Sequence, residues 1–178
     1  RLSLEHVTLL GSPGAGGLRT EGVLAMQDSV VRGCRQCDRL ISVEVGARAD
    51  LTRTVVVDNV ASGIVSNSGA VHVVSSTLQG NQVSGPLLWS DGEITELRDS
   101  AVVGNEVSVA GTPIQAAGPL VMSSVTIAEN RVQRARPFDP VTLIAASDSL
   151  ALGHVTIARN RVVAGVLTLI DAGRATGV

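Results

Sequence analysis

The sequence predicts an all-β fold in which the chain winds as a parallel β-helix of about seven coils, three short strands to a coil. Three observations predict it. The element Ser124-Val125-Thr126-Ile127-Ala128-Glu129-Asn130-Arg131-Val132 returns thirty residues later as His154-Val155-Thr156-Ile157-Ala158-Arg159-Asn160-Arg161-Val162. Apolar residues within each copy stand two apart, which is the period of a strand. The copies are 22 to 30 residues long. A unit that short cannot bury its own apolar face, whereas stacked units can.

With the Asn of the element as the mark, the copies fall at Ser12, Cys34, Asn59, Asn81, Asn105, Asn130 and Asn160. The first coil opens with Leu2 and Leu4 and continues through Val7 and Leu9. The second repeats this as Leu24, Met26, Ser29 and Val31, and the third as Ala49, Leu51, Thr54 and Val56. The fourth has Val71, Val73, Ser76 and Leu78; the fifth has Thr95, Leu97, Ser100 and Val102, with Thr95 the one polar residue of its column. The sixth and seventh are Leu120, Met122, Val125, Ile127 and Leu150, Leu152, Val155, Ile157. Two residues after the mark the column is apolar from Ala61 onward, but Gly14 and Gln36 depart from it. A third apolar pair follows at looser distance, as at Ile41 and Val43, Ile64 and Val65, Leu87 and Leu88, Leu143 and Ile144, and Leu167 and Leu169. A propeller blade takes about 40 residues, too many for this unit, and the Leu-x-x-Leu-x-Leu pattern of leucine-rich repeats does not recur.

Through its recurring V-T-I-x-x-N-x-V element, over nearly its whole length, the chain resembles the right-handed parallel β-helix repeat proteins of the pectate-lyase-like superfamily. The resemblance implies a right-handed winding. Polysaccharide lyases of that superfamily use carboxylate clusters for calcium and a basic residue for proton abstraction. Its polygalacturonase-like hydrolases use grouped Asp residues and a Gly-His-Gly element. Gly153-His154-Val155 does not complete that element, and no Asp-Asp or Asn-x-Asp pair is present.

Asn tolerates left-handed backbone angles and bonds locally, so the marks Asn59, Asn81, Asn105, Asn130 and Asn160 are expected to turn corners and to form a structural amide ladder. Five residues before the marks, Ser29, Thr54, Ser76 and Ser100 should point inward by alternation and satisfy one another as a polar stack. No His or acid in that column could activate a hydroxyl.

The composition bounds the function. The chain has 178 residues, 44% of them hydrophobic, enough for one domain with a sizeable core. Trp89 and Phe138 are the only aromatics, so the core must be stacked Val, Leu and Ile. All 14 basic residues are Arg, as a GC-rich, bacterial genome would produce. A net charge of −2 and the lack of aromatic platforms argue against nucleic acid as a partner. No apolar run reaches the length of a membrane span. Arg1 to Leu4 already occupy strand columns, and no polar cap follows Leu167-Thr168-Leu169-Ile170. Residues 1–178 are therefore expected to be a single β-helix domain cut from a longer chain, its ends covered by flanking chain or partners.

Four groups are candidate sites. Cys34-Arg35-Gln36-Cys37 is expected to close as a small loop disulfide in an exported protein; two free thiols or half a zinc site are the other readings. Arg131, Arg134, Arg136, Arg159 and Arg161 gather around the longest repeat as a patch for an anionic glycan or an acidic partner, balanced by Glu106 and Glu129. Replacing Arg134 and Arg136 with Ala is expected to weaken retention on anionic glycans. Trp89 with Asp91, Glu93 and Glu96 could bind a sugar or cation, or form a solvated turn with Trp89 packed inward. His6, His72 and His154 read as isolated surface residues, Asp28 and Arg53 as a pair across coils, and the outward Thr8, Thr77, Thr126 and Thr156 as an interrupted array. Neither a metal nor a cofactor is expected. These features suggest a non-catalytic structural or adhesive module of a secreted or cell-surface bacterial protein, with a glycan or other copies of a surface protein as partner. The alternatives are part of a carbohydrate-active enzyme, lyase or hydrolase, and a fibre segment of a phage tailspike or autotransporter.

Overall fold

In the computed structural model, which describes residues 1–11, 16–109, 112–134, 141–163 and 167–172, the chain is a parallel β-solenoid with three sheets. The first sheet stacks seven strands: Leu2–Glu5, Val23–Gln27, Arg48–Thr52, Ala70–Val74, Ile94–Arg98, Leu120–Ser123 and Leu150–Gly153. The second stacks Thr8–Leu10, Val30–Arg32, Val55–Val57, Thr77–Gln79, Ala101–Val103, Thr126–Ala128 and Thr156–Ala158. From the first rung of seven to the last, the chain makes about six turns.

The repeat columns are the pairing register. Leu9, Val31, Val56, Leu78, Val102, Ile127 and Ile157 are successive partners in the second sheet. Leu4, Met26, Leu51, Val73, Leu97, Met122 and Leu152 are partners in the first. Strand alternation sends these residues inward, and the middle rungs bury them completely. Each Leu, Ile or Met so buried contributes about 1.5–3 kcal/mol. The outer rungs are less covered: Leu2 is 50% exposed and Leu152 is 41% exposed.

The third sheet forks. Its early strands, Leu18–Thr20, Arg35–Val43 and Val60–Asn67, are single. Val60–Asn67 then pairs with two strands of the next coil, Gln82–Val83 and Leu88–Ser90. The split persists through Glu106–Val109 with Ile114–Ala116, Arg131–Arg134 with Val141–Ala146, and Arg161–Val163 with Leu167–Ala172. The coil keeps the expected three strands, one to each sheet, with the third interrupted into two segments of the same sheet from the fourth coil on. The third apolar pairs line the fork, and Ile64, Val65, Leu87, Leu88, Leu143 and Ile144 are buried there.

The left-handed corners differ from the expectation. None of the Asn marks has positive φ; the left-handed residue stands one place earlier, at Gly33, Asp58, Gly80, Gly104, Glu129 and Arg159. A second left-handed column, His6, Asp28, Arg53, Ser75, Asp99, Ser124 and His154, joins the first sheet to the second, with φ between 47° and 55°. A non-glycine residue there costs on the order of 1–2 kcal/mol. The stacked turn offsets it by hydrogen bonding: the N–H of Asp28 donates to the Thr52 carbonyl at 3.1 Å, and that of Arg53 to Val74 at 3.0 Å. The third corner needs glycine for space. A Cβ on Gly92 would lie 2.3 Å from the Gly69 carbonyl oxygen, and one on Gly118 would lie 2.1 Å from that of Gly92. Thr95 is buried beside this corner, where its hydroxyl accepts from the Asn67 amide at 3.0 Å.

Candidate functional site

The polar columns inside the solenoid are satisfied by the fold itself. Asn105 Oδ1 accepts from the backbone N–H and from Nδ2 of Asn81, both at 3.0 Å, and the same pair of bonds links Asn59 to Asn81, Asn105 to Asn130, and Asn130 to Asn160. Each amide also donates to a carbonyl of the coil before it, as Asn59 does to Val31 at 3.1 Å and Asn130 does to Val102 at 2.8 Å. Turning the chain and filling the ladder are therefore separate jobs: the preceding residue turns, which leaves the Asn side chain aimed inward.

The inward hydroxyls do not bond to one another, contrary to expectation. Ser76 Oγ accepts the Thr54 N–H at 2.9 Å and donates to the carbonyls of Val74 and Leu51. Ser100 does the same for Ser76, Arg98 and Val73. Parallel strands leave backbone groups at the corner within closer reach than the next hydroxyl.

Cys34 occupies the ladder position of the second coil. It is fully buried, its N–H donates to Asn59 Oδ1 at 3.0 Å, and a disulfide joins it to Cys37. Gln36 between them is left-handed, and the pairing register shifts there so that Cys37, not Gln36, faces Ala61. This bulge accounts for the break in the apolar column at Gln36. The first mark, Ser12, and Gly14 lie outside the described residues.

Outward from the third sheet lies a cleft of about 490 Å³ running along the stack. Ser62, Ser84 and Ser108 form one wall; Val60, Gln82 and Glu106 form the other, with Gln36, Cys37 and Asp38 at one end. Ligand sites commonly occupy 300–1,000 Å³. A smaller cleft of about 280 Å³ adjoins it at Asp38 and Ser62 and leads to Pro86 and Trp89. Trp89 faces outward between buried Leu88 and Ser90, half-buried, with the Arg39 guanidinium 5.7 Å from its ring centre. Past Glu106 the same wall continues in register to Arg131 and then Arg161, both exposed. Arg159 stands apart at a corner and pairs with Glu129 at 2.8 Å. The side chain of Arg134, and Arg136 with Phe138, lie outside the described residues.

The acids beside Trp89 do not converge with it. Asp91 accepts from the Ser68 hydroxyl at 2.9 Å, whereas Glu96 belongs to the first sheet. There it corrects the reading of His72 as isolated: His72 Nδ1 lies 2.9 Å from Glu96 Oε2, and Asp50 is its partner on the other side. The Glu96 side chain is 13% exposed and also receives Arg98. The hydrogen bond from His72, then that from Arg98, hold its carboxyl below the usual glutamate range. Asp28 meets Arg53 through two bonds of 2.6 and 2.8 Å, which lower its pKa to about 2. Among the described residues, Glu5, His6 and Asp28 are the one grouping within ligand distance for a metal, but both Asp28 oxygens are already engaged by Arg53.

Compared with protein-family models, with curated proteins and with solved structures, the chain matches none of them. Two features escaped the sequence reading. The Ser62-Ser84-Ser108 wall had a signal, Ser three residues after three successive marks. The His72–Glu96 pair had none, because its partners are 24 residues apart and meet only through the register.

Proposed function

We propose that the chain is a non-catalytic adhesive module of an extracellular or cell-surface bacterial protein, built on the β-helix plan of the pectate-lyase-like superfamily, and that it holds an extended glycan along its third face. The observation that carries this reading is the division of polar groups. Those inside, the Asn ladder and the inward hydroxyls, are committed to backbone partners. Those outside on the third sheet line one continuous channel with hydroxyls, amides and carboxylates, and two guanidiniums follow in the same column. Hydroxyl and amide groups both donate and accept, which suits a polyhydroxylated chain, and paired Arg forks suit its carboxylates.

The test is retention on immobilised polygalacturonate and on a neutral cello-oligosaccharide. Ser84→Trp, which fills the channel, should abolish retention on both. Arg131→Ala with Arg161→Ala should weaken retention on the anionic chain only. Failure of the wild-type protein to bind either matrix, or indifference to Ser84→Trp, contradicts the reading. Release of unsaturated or reducing ends, with or without calcium, would favour the enzymatic alternative.

A further inference from the structure

We propose that the Cys34–Cys37 disulfide is a reducible latch that holds the first coil onto the rest of the solenoid. At every later rung the ladder Asn reaches back to the coil before it: Asn59 to the Val31 carbonyl, Asn81 to Val56, Asn105 to Leu78, Asn130 to Val102 and Asn160 to Ile127. Cys34 has no amide, so among the described residues no side chain makes the corresponding bond to Leu9. Instead, a covalent link within the second coil closes the corner on which the first coil sits. The first coil rests directly on that corner. The Gly11 N–H donates to the Arg32 carbonyl at 2.9 Å, and a Cβ on Gly11 would lie 2.3 Å from Cys34 Cα.

Leu9, Leu10 and Gly11 of the first coil share a cavity of about 190 Å³ with both cysteines, and Leu10 is 70% exposed. The disulfide holds Gln36 in its left-handed conformation and so fixes the bulge that aims Cys34 into the ladder. Opening the four-residue ring frees the bulge, and with it the seat of the first coil. The ladder from Asn59 onward is untouched.

Cys37 lines the outer cleft and is 4% exposed, whereas Cys34 has no exposed surface, so an external dithiol reaches Cys37 first. Its thiolate attacks Cys37 Sγ, the Cys34–Cys37 bond breaks, and Cys34 leaves as a thiolate that takes up a proton. The second thiol of the reagent then attacks the mixed disulfide and releases Cys37, which is protonated in turn. Two electrons pass to the protein and the dithiol becomes a disulfide.

The test is backbone amide exchange of the whole chain with and without dithiothreitol, with reduction confirmed by mass. Reduction should speed exchange in Leu2–Glu5, Thr8–Leu10 and Leu18–Thr20 at least tenfold and leave strands from Val55–Val57 onward within twofold. Cys34→Asn with Cys37→Ala, which restores the amide without the bond, should keep the first coil as slow as in the oxidised protein and indifferent to the dithiol. The proposal is overturned if the disulfide resists the dithiol in the folded protein, if reduction leaves the first coil unchanged, or if it loosens all coils alike. It is also overturned if the Asn variant exchanges as fast as the reduced protein.

Discussion

Replacing Asn105 with Ala tests the ladder where water cannot repair it. Asn105 is 1% exposed. Its Oδ1 accepts two bonds from Asn81, and its Nδ2 donates to Leu78, Val103 and Asn130. Truncation leaves the Asn81 N–H without its acceptor and one Nδ2 proton short, although Asn81 Nδ2 keeps Val56 at 2.9 Å. A buried donor left unmade costs about 1–3 kcal/mol, so the two together cost about 2–6 kcal/mol, with the orphaned acceptors adding little because carbonyls tolerate fewer partners. Asn160→Ala removes the same bonds from Asn130, but Asn160 is only half-buried and water can replace its oxygen. That change should cost about 1 kcal/mol. Equilibrium urea denaturation, followed by far-UV circular dichroism, gives both values from the midpoint at constant slope. If Asn105→Ala falls within about 1 kcal/mol of the wild-type protein, or costs no more than Asn160→Ala, the ladder does not hold the coils together and the reasoning fails.

Two further outcomes follow from the corners and the first face. Gly92→Ala forces a Cβ against the backbone of Gly69 and Ser68, atoms that cannot move aside, and should lower the melting temperature by about 6–12 °C. Gly22→Ala, which meets nothing within 4 Å, should stay within about 2 °C, and equal shifts would refute the packing argument. Because the carboxyl of Glu96 is held below its usual range by His72 and then Arg98, its stabilisation is full above the ordinary glutamate value and fades as pH falls through the lowered one. The melting-temperature gap between wild type and Glu96→Gln should therefore be widest above about pH 4.3 and close toward pH 2; a gap independent of pH would show that the charge contributes nothing.

Much of this architecture was legible because a solenoid writes its register into its sequence. Columns of Leu, Val and Ile at fixed offsets from each Asn became pairing partners without a slip in the first two sheets. The corners were less legible. Left-handed φ was expected at Asn, yet the turning positions hold Gly33, Gly80, Asp58 and His154, which favour that geometry, alongside Glu129 and Arg53, which do not. Stacked hydrogen bonds impose the conformation there and override local preference. The fork of the third sheet was hidden for a similar reason. Its apolar pairs follow the mark at varying distances, and only the neighbouring coil decides whether Leu88 continues a strand or begins one. The outer channel inherits that obscurity, because its walls are set by register across four coils. The Arg residues illustrate the difference: Arg131 and Arg161 share a column and stack, while Arg159, two residues from Arg161, turns away to Glu129.

The in-register stacking of coils is tested most directly by spin-label distances along the second sheet. Thr8, Thr126 and Thr156 are exposed members of one column, five and six steps apart along the partner series. With strands about 4.8 Å apart, labels at Thr8→Cys and Thr126→Cys should lie about 24 Å apart, and labels at Thr8→Cys and Thr156→Cys about 29 Å. Two narrow distributions separated by about 5 Å are the predicted result. A Thr8–Thr156 distance equal to or shorter than Thr8–Thr126, or broad distributions without separation, would contradict it.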